Sequence, residues 1–368
     1  MVHFLLSANS SWRRRRRIGL WFLMLIVLNA SGAWAGSKPK PANPIRVPVL
    51  ELDGGRRLAF ERDFSSEDEV RGKPGFWKRV GDFVAGQGQR HTLVRPYSIV
   101  TDSRGRIIVS DPGASGVHIF DFAQRKYKFI ERTKEHDGLH TPQCVAVDAA
   151  DNIYVTDSDS GKIFVFKPDG KLLRVIGSIK GGEGYFKRPT GIAVDSAADR
   201  IYITDTLRDR IFVLDMEGSV LKTIGKRGDG NGEFNYPTEL RLQGENLIVV
   251  DAMNFRIQLL DRSGNFLSAI GRMGEDRGGF FRPKGLGVDS ENHVYVVESL
   301  SGQVQIFDRQ GSLLYYFGQR GVGPWQFQLP AGLFIDRADR VFVVDSYNRR
   351  IQMFRYFASG KQAVGGAQ

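Results

Sequence analysis

Three arginines, Arg95, Arg188 and Arg282, each stand immediately before a proline. A guanidinium offers a planar fork of donors that matches a carboxylate or a phosphate, so arginines gathered in one place would bind anions. Lys187, Arg227 and Arg272 lie in the same kind of proline-entering segment and extend the basic set. Two residues after a proline come Ser98, Cys144 and Glu239, a hydroxyl, a thiol and a carboxylate. Together they could form a polar or metal-holding site; the plainer reading is a tolerated acid and a small buried thiol. The histidines His91, His118, His136, His140 and His293 show no repeated register and no H-E-x-x-H motif. One cysteine rules out an internal disulfide framework, an iron–sulfur cluster and any zinc site built on several thiolates. No nucleophile elbow is present, and the glycines at 181–184 and 228–232 lack the strand–loop–helix setting of a phosphate-binding loop. No catalytic group, metal or cofactor is therefore assigned.

The elements that must position these residues are set by a repeat. Prolines recur at Pro96, Pro142, Pro189, Pro237, Pro283 and Pro330, every 46 to 48 residues. A large apolar residue precedes each by three: Leu93, Leu139, Phe186, Phe234, Phe280 and Phe327. Six residues after the proline stands an aspartate, at 102, 148, 195, 289 and 336, with Gln243 the exception. A β-rich stretch then ends in an acid: Asp111, Asp157, Asp205, Asp251, Glu298 or Asp345. Each copy reads as four short strands separated by turn signals such as Pro168-Asp169-Gly170 and Ser263-Gly264. A four-stranded unit of this size cannot cover both of its faces alone, whereas units stacked around an axis cover one another. The fold class is all-β: a six-bladed β-propeller of four-stranded antiparallel blades, its ring closed by an N-terminal strand. Positions 98, 144, 191, 239, 285 and 332 then begin the innermost strands, beside the central channel.

The acid that ends the second strand is followed five residues later by a base in four copies: Lys162, Arg210, Arg256 and Arg350. These pairs would be either a ring of ligand contacts or ion pairs tying the turn, at roughly 0–1 kcal/mol each. The run from Pro189 to Asp195, the run from Ile201 to Asp205, and Tyr347-Asn348-Arg349-Arg350-Ile351 after Asp345 resemble the NHL repeat. The resemblance covers residues 93–357. It implies the propeller fold and little chemistry, because similar propellers serve as extracellular enzymes, RNA binders and protein-binding modules. Amidating lyases of this kind use several histidines and zinc near the channel.

The last copy contains three strands, so the fourth must come from elsewhere or a sheet edge stays open. Residues 76–86 match the place and are expected to fill it. The propeller accordingly spans 76–357, with a small polar tail at 358–368. Residues 36–75 form an extended lead, in which 49–52 and 58–64 flank Asp53-Gly54-Gly55 as a hairpin. Ahead of it, Arg13 to Arg17, the apolar run 18–28 and Ala33-Trp34-Ala35 give the order of a secretory signal. An uncleaved membrane anchor is the alternative for 1–35. Either places the propeller outside the cytoplasm, in the periplasm or the extracellular space.

Without residues 1–35, which hold five arginines and no acid, 47 basic and 41 acidic residues remain, a net +6. That excess is too small to argue nucleic acid. The six proline-entering segments carry twelve bases and seven acids, nearly all of it. The reading is an exported, non-enzymatic propeller that binds a protein, an anionic glycan or a lipid headgroup through this loop face. The rival is an extracellular lyase or hydrolase with a metal site at the channel mouth. The processing expectation is direct: N-terminal sequencing of the exported protein should read from Gly36, and a membrane-bound product that keeps Arg13 to Arg17 would replace cleavage with an anchor.

Overall fold

A computed structural model describes residues 49–72, 90–131, 138–179 and 184–358. These belong to one compact unit, Val47–Gln368. The export signal read in 1–35 and the segment 359–368 lie outside the described residues. Among the described residues no helix is long and apolar enough to cross a membrane.

The six blades follow the repeat. Blade 1 comprises Ser98–Thr101, Ile107–Asp111, Gly116–Asp121 and Lys126–Ile130. Blade 2 comprises Pro142–Val147, Ile153–Asp157, Lys162–Phe166 and Leu172–Ile176. Blade 3 runs from Pro189–Asp195 through Arg200–Asp205 and Arg210–Leu214 to Val220–Ile224. Blade 4 runs from Pro237–Gln243 through Asn246–Asp251 and Arg256–Asp261 to Phe266–Ile270. Blade 5 has Pro283–Val288, Val294–Glu298, Gln303–Phe307 and Leu313–Phe317. In each, four antiparallel strands lie side by side in chain order. The middle strands are rich in Val, Ile, Phe and Tyr and are buried throughout, as in Ile153–Asp157 and Lys162–Phe166. The outer strand faces water: four of the five residues of Val220–Ile224 are exposed.

Each blade packs on the next through an apolar core of its own. Ile163, Ile201, Ile203 and Phe212 join blades 2 and 3. Ile211, Val213, Leu240 and Val249 join blades 3 and 4. The apolar residue three before each proline is driven into these seams: Leu93, Leu139, Phe186, Phe234, Phe280 and Phe327 are all buried. The turn beneath it needs glycine. Gly271 has φ +86°, and a Cβ there would lie 2.1 Å from the Phe280 ring.

Closure comes from the N-terminal side, by a different segment from the one expected. Residues 76–86 lie outside the described residues, and the place beside the last strand is taken by Arg57–Phe64. It pairs with Arg350–Phe357 from Arg57 opposite Phe357 to Phe64 opposite Ile351. Val49–Glu51 adds a fifth strand through the expected hairpin, so blade 6 has the order 49–51, 57–64, 350–357, 340–345, 333–335. The physical reason is length and pattern. Arg57–Phe64 runs along seven residues, Ile351–Phe357, with one bulge between Phe60 and Arg62, and buries Leu58 and Phe64. Phe64 and Val70 then join Ile99, Val109, Phe342 and Ile351 in the core between blades 6 and 1.

Burying two such side chains contributes about 1.5–3 kcal/mol each, and the open strand edge adds its unpaired amides. A chain beginning at residue 47 should melt as the full protein does, whereas one beginning at 65 should lose cooperative melting or aggregate. Equal, cooperative melting of the two would remove Arg57–Phe64 from the closing role.

Candidate functional site

The proline-entering segments are held by the acids that end the second strands. Asp111 accepts the amides of Val94 (2.7 Å) and Arg95 (2.9 Å). Asp205 accepts those of Lys187 (2.8 Å) and Arg188 (2.9 Å). Glu298 accepts those of Phe281 (2.9 Å) and Arg282 (2.9 Å). Asp157 does the same for His140 and Thr141. In blade 4 the pair is split, with Asn235 donating to Asp251 and Tyr236 to Asp209. These acids are fully buried or nearly so. One device therefore sets Arg95, Arg188 and Arg282 at blades 1, 3 and 5, with their side chains exposed.

Inside that rim the axis is filled from alternate blades. Lys284 follows Pro283, and its Nζ lies 5.1 Å from the centre of the Tyr97 ring. Blade 6 stands between them, and its equivalent residue is the small Ala331. One layer further in, Cys144 of blade 2 places Sγ 3.3 Å from Glu239 Oε2 of blade 4. Gly191 of the intervening blade 3 permits this, because a Cβ there would lie 2.9 Å from Glu239 Cα. The Val145 amide donates to Ser98 Oγ at 3.4 Å. Arg241 crosses to blades 5 and 6, donating to the carbonyls of Leu286 and Leu333 at 3.2 Å each, and stands 3.4 Å from Glu239 Oε1.

The electrostatics divide these layers. Burial raises Glu239 above the usual carboxylate range against the pull of Arg241. Burial, then the Glu239 charge, pushes the Cys144 thiol well up. Cys144 thus stays a thiol, a poor nucleophile. Burial, then the charges of Arg282 and Arg95, pushes Lys284 down to about 8. Burial also raises Tyr97, with Arg188 and Arg282 close enough to oppose it. The three arginines hold equivalent positions on blades 1, 3 and 5, around the mouth where Lys284 meets Tyr97. Among the described residues none of the four side chains has an ion pair or hydrogen bond; Lys284 has the Tyr97 ring.

The other basic residues read from sequence fall elsewhere on the loops. Arg272 pairs with Asp276 within its own loop, while Lys187 and Arg227 are exposed. Lys284, Tyr97 and Arg241 were missed. The signal was available for the first two, since both occupy the position after the repeating proline. Arg241 had none, because its reach across the axis is set by packing.

Among the described residues His118, His293 and His91, and the bases Arg256 and Arg350, make contacts within the blades. His118 is buried, with Nδ1 2.7 Å from Tyr127 Oη and Nε2 3.4 Å from Asp111. It occupies the third-strand place where Gln258 and Gln352 donate to Asp251 and Asp345. His293 lies 2.8 Å from Asp289, and His91 lies tilted against the Phe129 ring, 4.5 Å between centroids. His136, four residues before His140, lies outside the described residues. Among the described residues no group of three or more His, Cys, Asp or Glu could hold a metal ion. Of the four repeated bases, Arg256 and Arg350 pair with Asp251 and Asp345 at 2.9 and 2.8 Å. Arg210 instead donates to the Arg208 carbonyl.

A family model described as a 6-bladed beta-propeller matches residues 128–203 and 194–258. No curated protein matches the chain. Among solved structures, a streptogramin B lyase superposes with a TM-score of 0.53 at 15% identity, covering 72% of this chain and 94% of that one. A protein of unknown function from Bacteroides thetaiotaomicron gives 0.59 at 14% identity, covering 72% and 70%. An auxiliary nutrient binding protein from the same organism gives 0.56 at 13%, again covering 72% and 70%. At these identities the likeness is one of fold.

The clamp has a measurable weight. Asp205→Ala leaves two amides without their charged acceptor, and hydrogen bonds to charged groups contribute about 1.5–3 kcal/mol each. The variant should lose about 3–6 kcal/mol in a denaturant titration, while Asp159→Ala, at an exposed acid of a turn, should stay within about 0.5 kcal/mol.

Proposed function

We propose that this six-bladed β-propeller is an exported, non-enzymatic binding module whose proline-bearing face docks a protein through that partner's acidic side chains. The observation that carries the reading is the set of four cations at the channel mouth, Arg95, Arg188, Arg282 and Lys284, with no acid paired to any of them among the described residues. Like charges held together in a part-buried place repel, and an anionic group supplied from outside relieves that repulsion.

The surroundings support a protein as the source of that group. Exposed apolar side chains lie on the proline-entering segments or on turns bonded to them: Tyr236, Met253, Phe281, Leu300 and Tyr347. Backbone bonds tie their turns to the proline-entering segments, Met253 to Asn235 and Tyr347 to Gln328. Aromatic residues, Met and Arg are the residues enriched in protein interfaces. Export rests on the signal pattern of residues 1–35.

The test is a titration with an acidic peptide that also carries aromatic residues, over a salt series. Arg95, Arg188 and Arg282 changed together to Ser should weaken binding at least tenfold and flatten its salt dependence, with the melting temperature held. Affinity should fall as pH rises through about 8, where Lys284 gives up its charge, and Lys284→Met should remove that step. Equal affinity and salt dependence in the triple variant, or no binding by the unaltered protein at low salt, would overturn the reading. Binding of anionic vesicles in preference to the peptide would replace the protein with a membrane surface.

A further inference from the structure

We propose that Lys284 captures small anionic aldehydes and ketones, such as 2-oxo acids, as a reversible imine at the mouth of the channel. The inference rests on the mouth being an anion site and adds a covalent chemistry to it. Three observations carry it. Lys284 sits at the inner edge of the rim, half-buried, on the residue that follows Pro283 and opens the innermost strand of blade 5. No hydrogen bond or ion pair occupies its amine among the described residues; Nζ rests over the Tyr97 ring. Arg282 stands two residues before Lys284, and Arg95 two before the Tyr97 whose ring Nζ faces, so a carboxylate drawn to them arrives beside the amine.

The same surroundings prepare the amine. A lysine that is desolvated and set beside other cations loses its proton easily, and the neutral amine is the nucleophile. With its ionisation near 8, about a tenth of Lys284 is neutral at pH 7, against about 0.03% for an ordinary lysine. Arginine does not compete, because it stays protonated. Cys144, the other nucleophile near the axis, keeps its proton and is wholly buried.

The step balances without an oxidant or reductant. The amine lone pair forms a C–N bond to the carbonyl carbon as the C=O π bond opens. Both amine protons pass by way of solvent to the former carbonyl oxygen, which leaves as water, and a C=N bond remains. Hydrolysis returns the amine and the carbonyl compound. The rim arginines hold the carboxylate throughout and stay outside the bond changes.

Glyoxylate, a small anionic aldehyde, and acetaldehyde, a neutral one, are the probes. Each is incubated with the full protein, the imine is trapped with borohydride, and the adduct is located by peptide mass spectrometry. Lys284 should label with glyoxylate at least tenfold faster than the exposed Lys222, and its rate should rise with a midpoint near pH 8. Acetaldehyde should show a smaller preference, and Arg95→Ser with Arg282→Ser should erase the difference between the two probes. Lys284→Arg should abolish the mapped adduct at an unchanged melting temperature. Labelling of Lys284 no faster than Lys222, or a rate that keeps rising beyond pH 10, overturns the proposal. Acidic-peptide binding that survives such a result would leave the docking function standing and remove the imine alone.

Discussion

The buried carboxylate at the end of each second strand is the contact on which the loop face depends. The chain enters every blade through a proline, which has no amide to donate. The amides just before it would be orphaned in a closely packed seam, at a cost comparable to a lost hydrogen bond each. Asp111, Asp157, Asp205 and Glu298 each take two of them. A charged acceptor makes such bonds about twice as strong as neutral ones. This fixes the direction in which the chain arrives at the axis, and hence where Arg95, Arg188 and Arg282 stand.

The clamp also has an electrostatic consequence. The acids nearest the mouth are committed to backbone amides, so they are not available to the arginine side chains beside them. Burial opposes ionisation of Asp111, but His118 and the amides of Val94 and Arg95 outweigh it and hold the carboxyl below its usual range. Burial in turn lowers His118 below the ordinary histidine value, against the pull of Asp111. Among the described residues charge is thereby sorted by depth: acids satisfied inside the blades, cations without an ion pair at the mouth. The exposed cationic face follows from how the fold solves its own hydrogen-bonding problem.

The axis shows the complementary constraint. Six inner strands converge there, and the space admits a long side chain from one blade only where its neighbour is small. Gly191 lets Cys144 meet Glu239, and Ala331 lies between Lys284 and Tyr97. Arg241 uses the backbone carbonyls of Leu286 and Leu333 as its acceptors and closes the layer beneath. Cys144, Ser98 and Glu239 are buried in consequence. What faces the solvent is the layer above them, made of Tyr97, Lys284 and the arginines.

Local pattern determined the blades. The spacing of the prolines, the apolar residue three before and the acid that ends the second strand each answer a requirement met within one repeat or against its neighbour. Such requirements recur at a fixed period, so the architecture and the place of Arg95, Arg188 and Arg282 were legible. The closing strand was not, because its partner lies nearly 300 residues away, and a pairing made once between the two ends of the chain leaves no periodic signal. The acids were legible as a series but their use was not: sequence pairs Asp205 with Arg210, whereas the folded chain gives Asp205 to the amides of Lys187 and Arg188. The chemistry of Lys284 depends wholly on tertiary structure. Its ionisation is set by burial and by Arg95 and Arg282, charges from the first and fifth blades that only ring closure brings to one point.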